Sequence, residues 1–379
     1  MTYSFSLPTK LVVSENAAQD LSQELDALPA GAVFLLSDQG ILSAGLEKPI
    51  VQAMHAAGRQ MFLYGNVPGN PNISDVLAAL QVLDGARPAA IVGLGGGSVI
   101  DTAKAAGVLL AHPGLDWVDL QWGRAHIRQA SLPVIALPTT AGTGSEVTHV
   151  AVIGDHQGFK KGVVHPAIFP RISIIDGSLM LSLPVKLTAA TGVDAVVHAL
   201  EAYLGRRANP TTDLFALGAL QVLVGGLPEV THNGANLPAR REVALAATWA
   251  GIAMDQAGLG LCHALDGPLA AHHHVHHGLG NAVLLTATLD FNAAAIPAGR
   301  WEPLCAALGL PAAAQPAALP AWAQDFIRGL GLPSRLGEIG IGPDTIPAMA
   351  EEATRMAMIH NNPRPAGAAD CRAVLEAAL

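Results

Sequence analysis

Charge is scarce in this chain. Asp, Glu, Lys and Arg make up 13% of its 379 residues, and 21 basic residues face 30 acidic ones, for a net charge of −9. A nucleic-acid surface needs clustered Lys and Arg to neutralise phosphates, and no such stripe occurs, so a nucleic-acid partner is excluded. Cysteine is equally thin. Cys262, Cys305 and Cys371 are odd in number and far apart, which fits neither a disulfide framework nor a cysteine-based zinc site. A reducing, cytoplasmic setting is the expectation. No run of about twenty residues escapes interruption by Gly, Pro or polar residues, so no membrane span is expected. Met1 to Lys10 shows no basic start followed by an apolar stretch, so no signal peptide is expected either.

What the chain has in quantity is apolar residue, 51%, which excludes global disorder and permits a large core. Much of it is Ala, the best helix former. The length suits two domains at about 100–200 residues each. The first half alternates short apolar runs with helical stretches. The runs at 32–37, 60–64, 89–94, 133–137 and 172–175 read as strands. Apolar strands spaced by helices predict a parallel sheet covered on both faces. After Leu183-Pro184 the spacing is helical throughout. The expected organisation is therefore an α/β cofactor domain, 1–183, then an all-α domain, 184–379, with the site in the cleft between them.

Two polar stretches interrupt the α/β half. Gly95-Gly96-Gly97-Ser98 stands between a strand and a helix. Bare backbone there lets N–H groups approach an anion, with the helix dipole behind them. The stretch is not GxGxxG, and a plain tight turn explains the glycines equally well. Asp101, in the first helical turn, reads as a cap rather than a catalyst. Pro138 to Thr148 (PTTAGTGSEVT) interleaves Thr139, Thr140, Thr143 and Ser145 with glycines, suited to a ribose, phosphate or carboxamide, or to an ordinary loop. Together the two stretches favour a nucleotide site. Asp38, closing the first strand, is placed to accept from a ribose 2′-hydroxyl and repel a 2′-phosphate, which favours NAD over NADP; a turn aspartate without a ligand is the competing reading.

The helical half carries the metal chemistry. Asp194 and His198 are four apart, so on a helix they share a face, either to hold a cation or to bond each other. Leu261 to Asn281 then concentrates six of the 15 histidines: His263, His272, His273, His274, His276 and His277. Neutral imidazoles are the commonest metal ligands, and an aspartate with three histidines suits Fe²⁺, Zn²⁺, Co²⁺ or Ni²⁺. The five histidines of 272–277 cannot all bind one ion.

GGGSVIDTAKA (95–105), PTTAGTGSEVT (138–148), GVDAVVHALEAY (192–203) and HHGLGNAVLL (276–285), in this order, resemble the iron-containing (group III) alcohol dehydrogenases. FSLPTKLVVSENA (5–17) and NNPRP (361–365) resemble the ends of the same family, so the likeness covers the whole chain. It implies a dehydroquinate synthase-like architecture, with a Rossmann-like α/β domain followed by an all-helical one. It also implies Fe²⁺, with Zn²⁺ second, on Asp194, His198, His263 and His277. NAD(H) contacts are implied at Asp38, Gly95, Gly96, Gly97, Ser98, Thr139, Thr140 and Thr143. A lysine of 157–161 is implied at the nicotinamide ribose, Lys160 ahead of Lys161 by spacing. The implied reaction is hydride transfer between NAD(H) and a small primary alcohol or its aldehyde, and the implied assembly a homodimer or larger.

Two positions depart from the family pattern. Many members carry a second histidine four residues after the ligand matching His263, where this chain has Gly267, leaving Asp266, His272 or His273 to supply a proton relay. Gly65 replaces an acidic residue common after the second strand. LCHALDG also resembles the maleylacetate reductase branch, the alternative within the oxidoreductases, and the histidines at 272–274 would suit a carboxylated aldehyde. A dehydroquinate-synthase-like lyase is the alternative of another class. It needs a basic set for a substrate phosphate, and Lys186, Arg206, Arg207, Arg240 and Arg241 are the scattered candidates.

Overall fold

In a computed structural model, which describes residues 2–379, the apolar runs of the first half form one parallel sheet. The chain divides into two units. Leu7–Thr140 and Gly144–Ser182 make the first; Leu183–Leu379, with residues 2–6 and Ala141–Thr143, make the second. A single cut at 183/184 therefore misses two short segments. Their grouping is set by tertiary packing, which no local pattern announces.

The first unit contains, in order, β1 (Lys10–Val13), α1 (Ala17–Asp26), β2 (Val33–Leu36), α2 (Gln39–Ala44), α3 (Glu47–Ala56), β3 (Met61–Tyr64), α4 (Ile73–Gln81), β4 (Ala90–Gly95), α5 (Gly97–Ala111), α6 (Trp117–Gln121), β5 (Val134–Pro138), β6 (Val150–Gly154), β7 (Lys160–Val164) and β8 (Ile172–Ile175). The sheet runs β1-β8-β5-β4-β2-β3, every pairing parallel, while β6 and β7 form a separate antiparallel hairpin. Alternate residues feed opposite faces, as the pleat requires. Phe34, Leu36, Ile91 and Val134 pack with α5 residues on one side; Val33, Leu35, Val92, Ile135 and Leu137 pack with α1 and α3 residues on the other. Burial on both faces is why these strands read as unbroken apolar runs. From β2 the chain moves outward to β3; from β4 it moves the opposite way to β5. The carboxyl ends of β2 and β4 thus flank the topological switch point, where open α/β sheets take their ligands.

The second unit is helical: α7 (Val185–Leu204), α8 (Pro210–His232), α9 (Leu237–Ala257), α10 (Leu261–His273), α11 (His277–Ala293), α12 (Ala298–Ala307), α13 (Leu319–Gly329), α14 (Ile346–Ala353) and α15 (Ala368–Ala377). Helix α7 is its axis, buried from Thr188 onward and packed on α8, α9 and α11. Helix α8 corrects one expectation: its 23 residues are long and apolar enough, by length and composition, to cross a membrane. Its glycines and Pro228 interrupt the run without making it polar. In this fold it packs on α7, α9 and α12.

Candidate metal centre and cofactor turn

Three helices of the second unit bring four ligand atoms to one point. Asp194 and His198 project from α7, His263 from the first turn of α10, and His277 from the first residue of α11. Asp194 Oδ1 lies 3.4 Å from His198 Nε2, 3.5 Å from His263 Nε2 and 3.4 Å from His277 Nε2. All four ligand atoms fall within 4.8 Å of one another. The His198 and His263 rings stack at 4.8 Å, and His277 tilts by 57° against His263.

The opposite nitrogens show why the Nε2 atoms face inward. His198 Nδ1 meets the Gly142 carbonyl at 3.3 Å, His263 Nδ1 meets Glu201 Oε2 at 2.7 Å, and His277 Nδ1 meets Asp266 Oδ2. Each Nδ1 faces an oxygen that only accepts, so it carries the proton and leaves the Nε2 lone pair for the centre. Backbone carbonyls and carboxylates behind metal-bound imidazoles set ring orientation in this way. One carboxylate oxygen and three imidazole nitrogens, turned inward together, fit a divalent transition metal. Glu201 also accepts from Gly260 N (2.8 Å) and Cys262 N (2.6 Å), satisfying donors at the start of α10, which no side chain of its own caps. Asn281, one turn into α11, donates to Asp194 Oδ1 at 2.8 Å.

The electrostatics differ between the rings. Burial opposes ionisation of Asp194, yet the three neighbouring rings hold its carboxyl below the usual carboxylate range. Burial pushes His198 down to about 4, so at neutral pH the ring is neutral and able to coordinate. Burial pulls His263 the same way, but the Glu201 and Asp194 carboxylates outweigh it and lift the ring to about 10. A cation entering the cluster must displace that proton.

The three relay candidates do not come together. Asp266 is buried behind His277, His272 Nε2 pairs with Glu352 at 3.0 Å, and His273 Nε2 meets Thr345 Oγ1 at 2.8 Å. The last turn of α10 points these two histidines toward α14 and the residues just before it, and of the three alternatives it is Asp266 that touches a residue of the cluster. Sequence reading missed Glu201, Asn281 and the Gly142 carbonyl. Glu201 had a signal: Asp194, His198 and Glu201 lie at i, i+4 and i+7 on α7, one face of a helix.

In the first unit, β4 ends at Gly95, and Gly96 opens α5 with no side-chain cap. A side chain at Gly95 would drive its Cβ to 2.5 Å from Val99 Cγ2, so the close strand–helix turn requires glycine. Thr139 N donates to Gly95 O (3.1 Å), and Thr140 lies beside Gly96. Ser98 donates to Gly69 O (2.6 Å), and Lys160 reaches the adjoining Asn70 Oδ1 (2.6 Å). Ser98 of the turn and Lys160 therefore border a common loop, while Thr139 and Thr140 line the turn itself. Asp38 follows β2 at the switch point; it caps α2 by accepting from Ile41 N (3.0 Å) through Oδ1. Thr143 belongs to the helical unit. Asp101 is not a cap: it lies past the first turn of α5, accepts from Ser145 Oγ and from Val152 N (2.9 Å), and lies 3.5 Å from the buried Lys104.

Known proteins point the same way. Residues 8–177 match the model of the iron-containing alcohol dehydrogenases, and residues 188–379 match the C-terminal model of the Fe-containing alcohol dehydrogenase family. The chain is 34% identical to a probable alcohol dehydrogenase, EutG, of Escherichia coli, over 96% of this chain and 91% of that one. It is 31% identical to the NAD-dependent methanol dehydrogenase of Bacillus methanolicus, over 99% and 100%. Among solved structures it resembles a 1,3-propanediol oxidoreductase with a TM-score of 0.93 and 29% identity, each chain covered fully. Whole-length likeness in sequence and fold, joined to the carboxylate–imidazole cluster, leads to one conclusion. The chain belongs to the iron-containing alcohol dehydrogenase family, oxidoreductases of alcohols and aldehydes that use NAD(H) and iron.

Proposed function

We propose that this chain interconverts a small primary alcohol and its aldehyde by direct hydride exchange with NAD(H), using iron held by Asp194, His198, His263 and His277. The convergence of three Nε2 atoms on Asp194 Oδ1, each with its Nδ1 tied back, carries the reading. Bound there, the ion would serve as a Lewis acid toward the substrate oxygen. NAD(H), when bound, would supply the hydride chemistry. The remaining work belongs to the polypeptide. Glu201, Asp266 and the Gly142 carbonyl hold the rings in the coordinating tautomer, and Asn281 orients Asp194. The uncapped start of α5 at Gly95, Gly96, Gly97 and Ser98 offers N–H groups and the positive helix end to the cofactor pyrophosphate. Thr139, Thr140 and Thr143 give it hydroxyls, and Lys160 the nicotinamide ribose. Asp38 keeps one carboxylate oxygen for a ribose hydroxyl and repels a 2′-phosphate, selecting NAD.

Two relatives are named for methanol and 1,3-propanediol, which supports a short primary alcohol. A carboxylated aldehyde is placed second, because His272 and His273 are already engaged. A homodimer or larger assembly is part of the same reading, checked by gel filtration. The functional test is NADH oxidation with short aldehydes, semialdehydes and maleylacetate, as isolated, after chelation, and after adding Fe²⁺ or Zn²⁺ without oxygen. Aldehyde turnover lost on chelation and restored by one metal is expected. Turnover of maleylacetate alone, indifferent to chelator, would overturn the reading in favour of the reductase branch.

A further inference from the structure

Of the four ligands, His277 is the one that packing does not fix. Its side chain is 48% exposed, against 3–4% for the other three. It stands at the first residue of α11, just past the left-handed His274 that ends α10. An exposed imidazole at a helix start has free rotamers, so something else must aim it.

Behind it lies Asp266, 1% exposed. Its Oδ2 meets His277 Nδ1, and its Oδ1 has no hydrogen-bond partner. Burying a carboxylate costs several kcal/mol, and a half-satisfied one leaves part of that cost unrecovered. An apolar residue would pack there at less cost, so stability alone does not account for an aspartate. The surroundings are also fitted to it: a Cβ at Gly280 would overlap Asp266 Oδ1. Asp266 sits one turn after His263 on α10, so a single helix turn supplies one ligand and the support of another. The arrangement repeats that of Glu201 behind His263.

We infer that Asp266 is a positioning residue for the metal centre, holding His277 Nδ1–H so that Nε2 faces Asp194. This rests on the metal-site reading above. Asp266 stands beside Gly267, the position where the resemblance leads one to expect a histidine, and it uses that neighbourhood for ligand support instead of a relay.

The test is anaerobic Fe²⁺ binding by the full-length protein, in competition with a chromogenic iron chelator. Asp266→Ala should weaken binding about 10–100-fold, the scale of lost support behind a metal-bound histidine. Asp266→Asn, whose amide oxygen can still accept from Nδ1–H, should lose less, and it carries the test if the alanine variant does not fold. In a His277→Ala background, Asp266→Ala should change affinity by no more than about twofold, since the two substitutions remove one unit. Unchanged affinity in both Asp266 variants, or an equal loss with and without His277, would overturn the positioning role while leaving the metal site intact. Failure of the unaltered protein to bind Fe²⁺ would overturn the metal site itself, and this inference with it.

Discussion

Removing the carboxylate of Glu201 tests the centre most directly, because the structure shows every group that would be left behind. Glu201 accepts three hydrogen bonds: Cys262 N at 2.6 Å on Oε1, and Gly260 N at 2.8 Å and His263 Nδ1 at 2.7 Å on Oε2. A buried donor left unmet costs about 1–3 kcal/mol, so Glu201→Ala, which strands three, should destabilise the helical unit by about 3–9 kcal/mol. That is a large share of the ~5–15 kcal/mol that holds a typical domain folded. Glu201→Gln separates the roles. A glutamine offers one acceptor and one donor in place of two acceptors. Placed with its oxygen toward Gly260 and His263, it keeps the histidine tautomer and sets its NH₂ against Cys262 N–H, losing one interaction, about 1–3 kcal/mol. Turned the other way, it would force His263 to protonate Nε2 and withdraw from coordination. The first orientation keeps two bonds and is the one expected. Glu201→Gln should therefore retain iron at reduced stability, while Glu201→Ala should lose both. Urea unfolding of the chelated protein and iron content of the folded fraction read the two effects separately. An alanine variant within about 0.5 kcal/mol of the parent, with full iron content, would refute the account, since an ordinary surface position behaves that way.

Gly142→Ala places a Cβ 2.7 Å from both Thr191 Cβ and the Thr191 carbonyl oxygen, in the segment whose own carbonyl holds His198. It should cost about 1–3 kcal/mol by overpacking and lower iron content; Gly225→Ala, with nothing within 4 Å, is the control expected to be neutral or mildly stabilising in thermal melts. Lys104 is fully buried and donates to Ser145 Oγ (2.9 Å), Thr148 Oγ1 (3.1 Å) and Val150 O (2.8 Å) beside Asp101. Lys104→Met should destabilise by about 3–5 kcal/mol, as when one partner of a buried pair is removed, and adding Asp101→Asn should recover part of it; strictly additive losses would show that the two are not coupled. The cysteines should be inert in the native protein. All three are buried, and burial, aided by Asp370, pushes the Cys371 thiol up to about 11. Its thiolate fraction at pH 8 is then on the order of 0.001, rising tenfold per pH unit toward that value. A thiol reagent at pH 8 should label none before unfolding and three after; rapid native labelling would contradict the packing.

Sequence reading succeeded where a signal is local and failed where it is not. Val33–Leu36 and Ala90–Gly95 announced themselves because both faces of each strand are buried and a turn closes each run. Lys10–Val13 escaped notice because it is a short edge strand, exposed at both ends, defined by its pairing with Ile172–Ile175 and not by its own pattern. The hairpin of β6 and β7 escaped for a related reason. Its order depends on Asp101 and Lys104, which reach it from a helix some fifty residues earlier. The metal centre divides the same way. Asp194 and His198 share a helical face at a spacing that can be counted, whereas the acceptor behind His198 is a backbone carbonyl with no sequence signature. Asp266 is the more instructive case. Its residue type was right for proton transfer, and its place three residues after His263 put it near the centre. Whether a carboxylate near a metal moves a proton or fixes a ring depends on which atom it faces. Here it faces Nδ1 of His277, buried on the side away from the ligand atoms, which is the geometry behind the positioning role inferred above. Chemistry-bearing residues can be counted along a chain; their division into ligands and the groups that aim them is made by the fold.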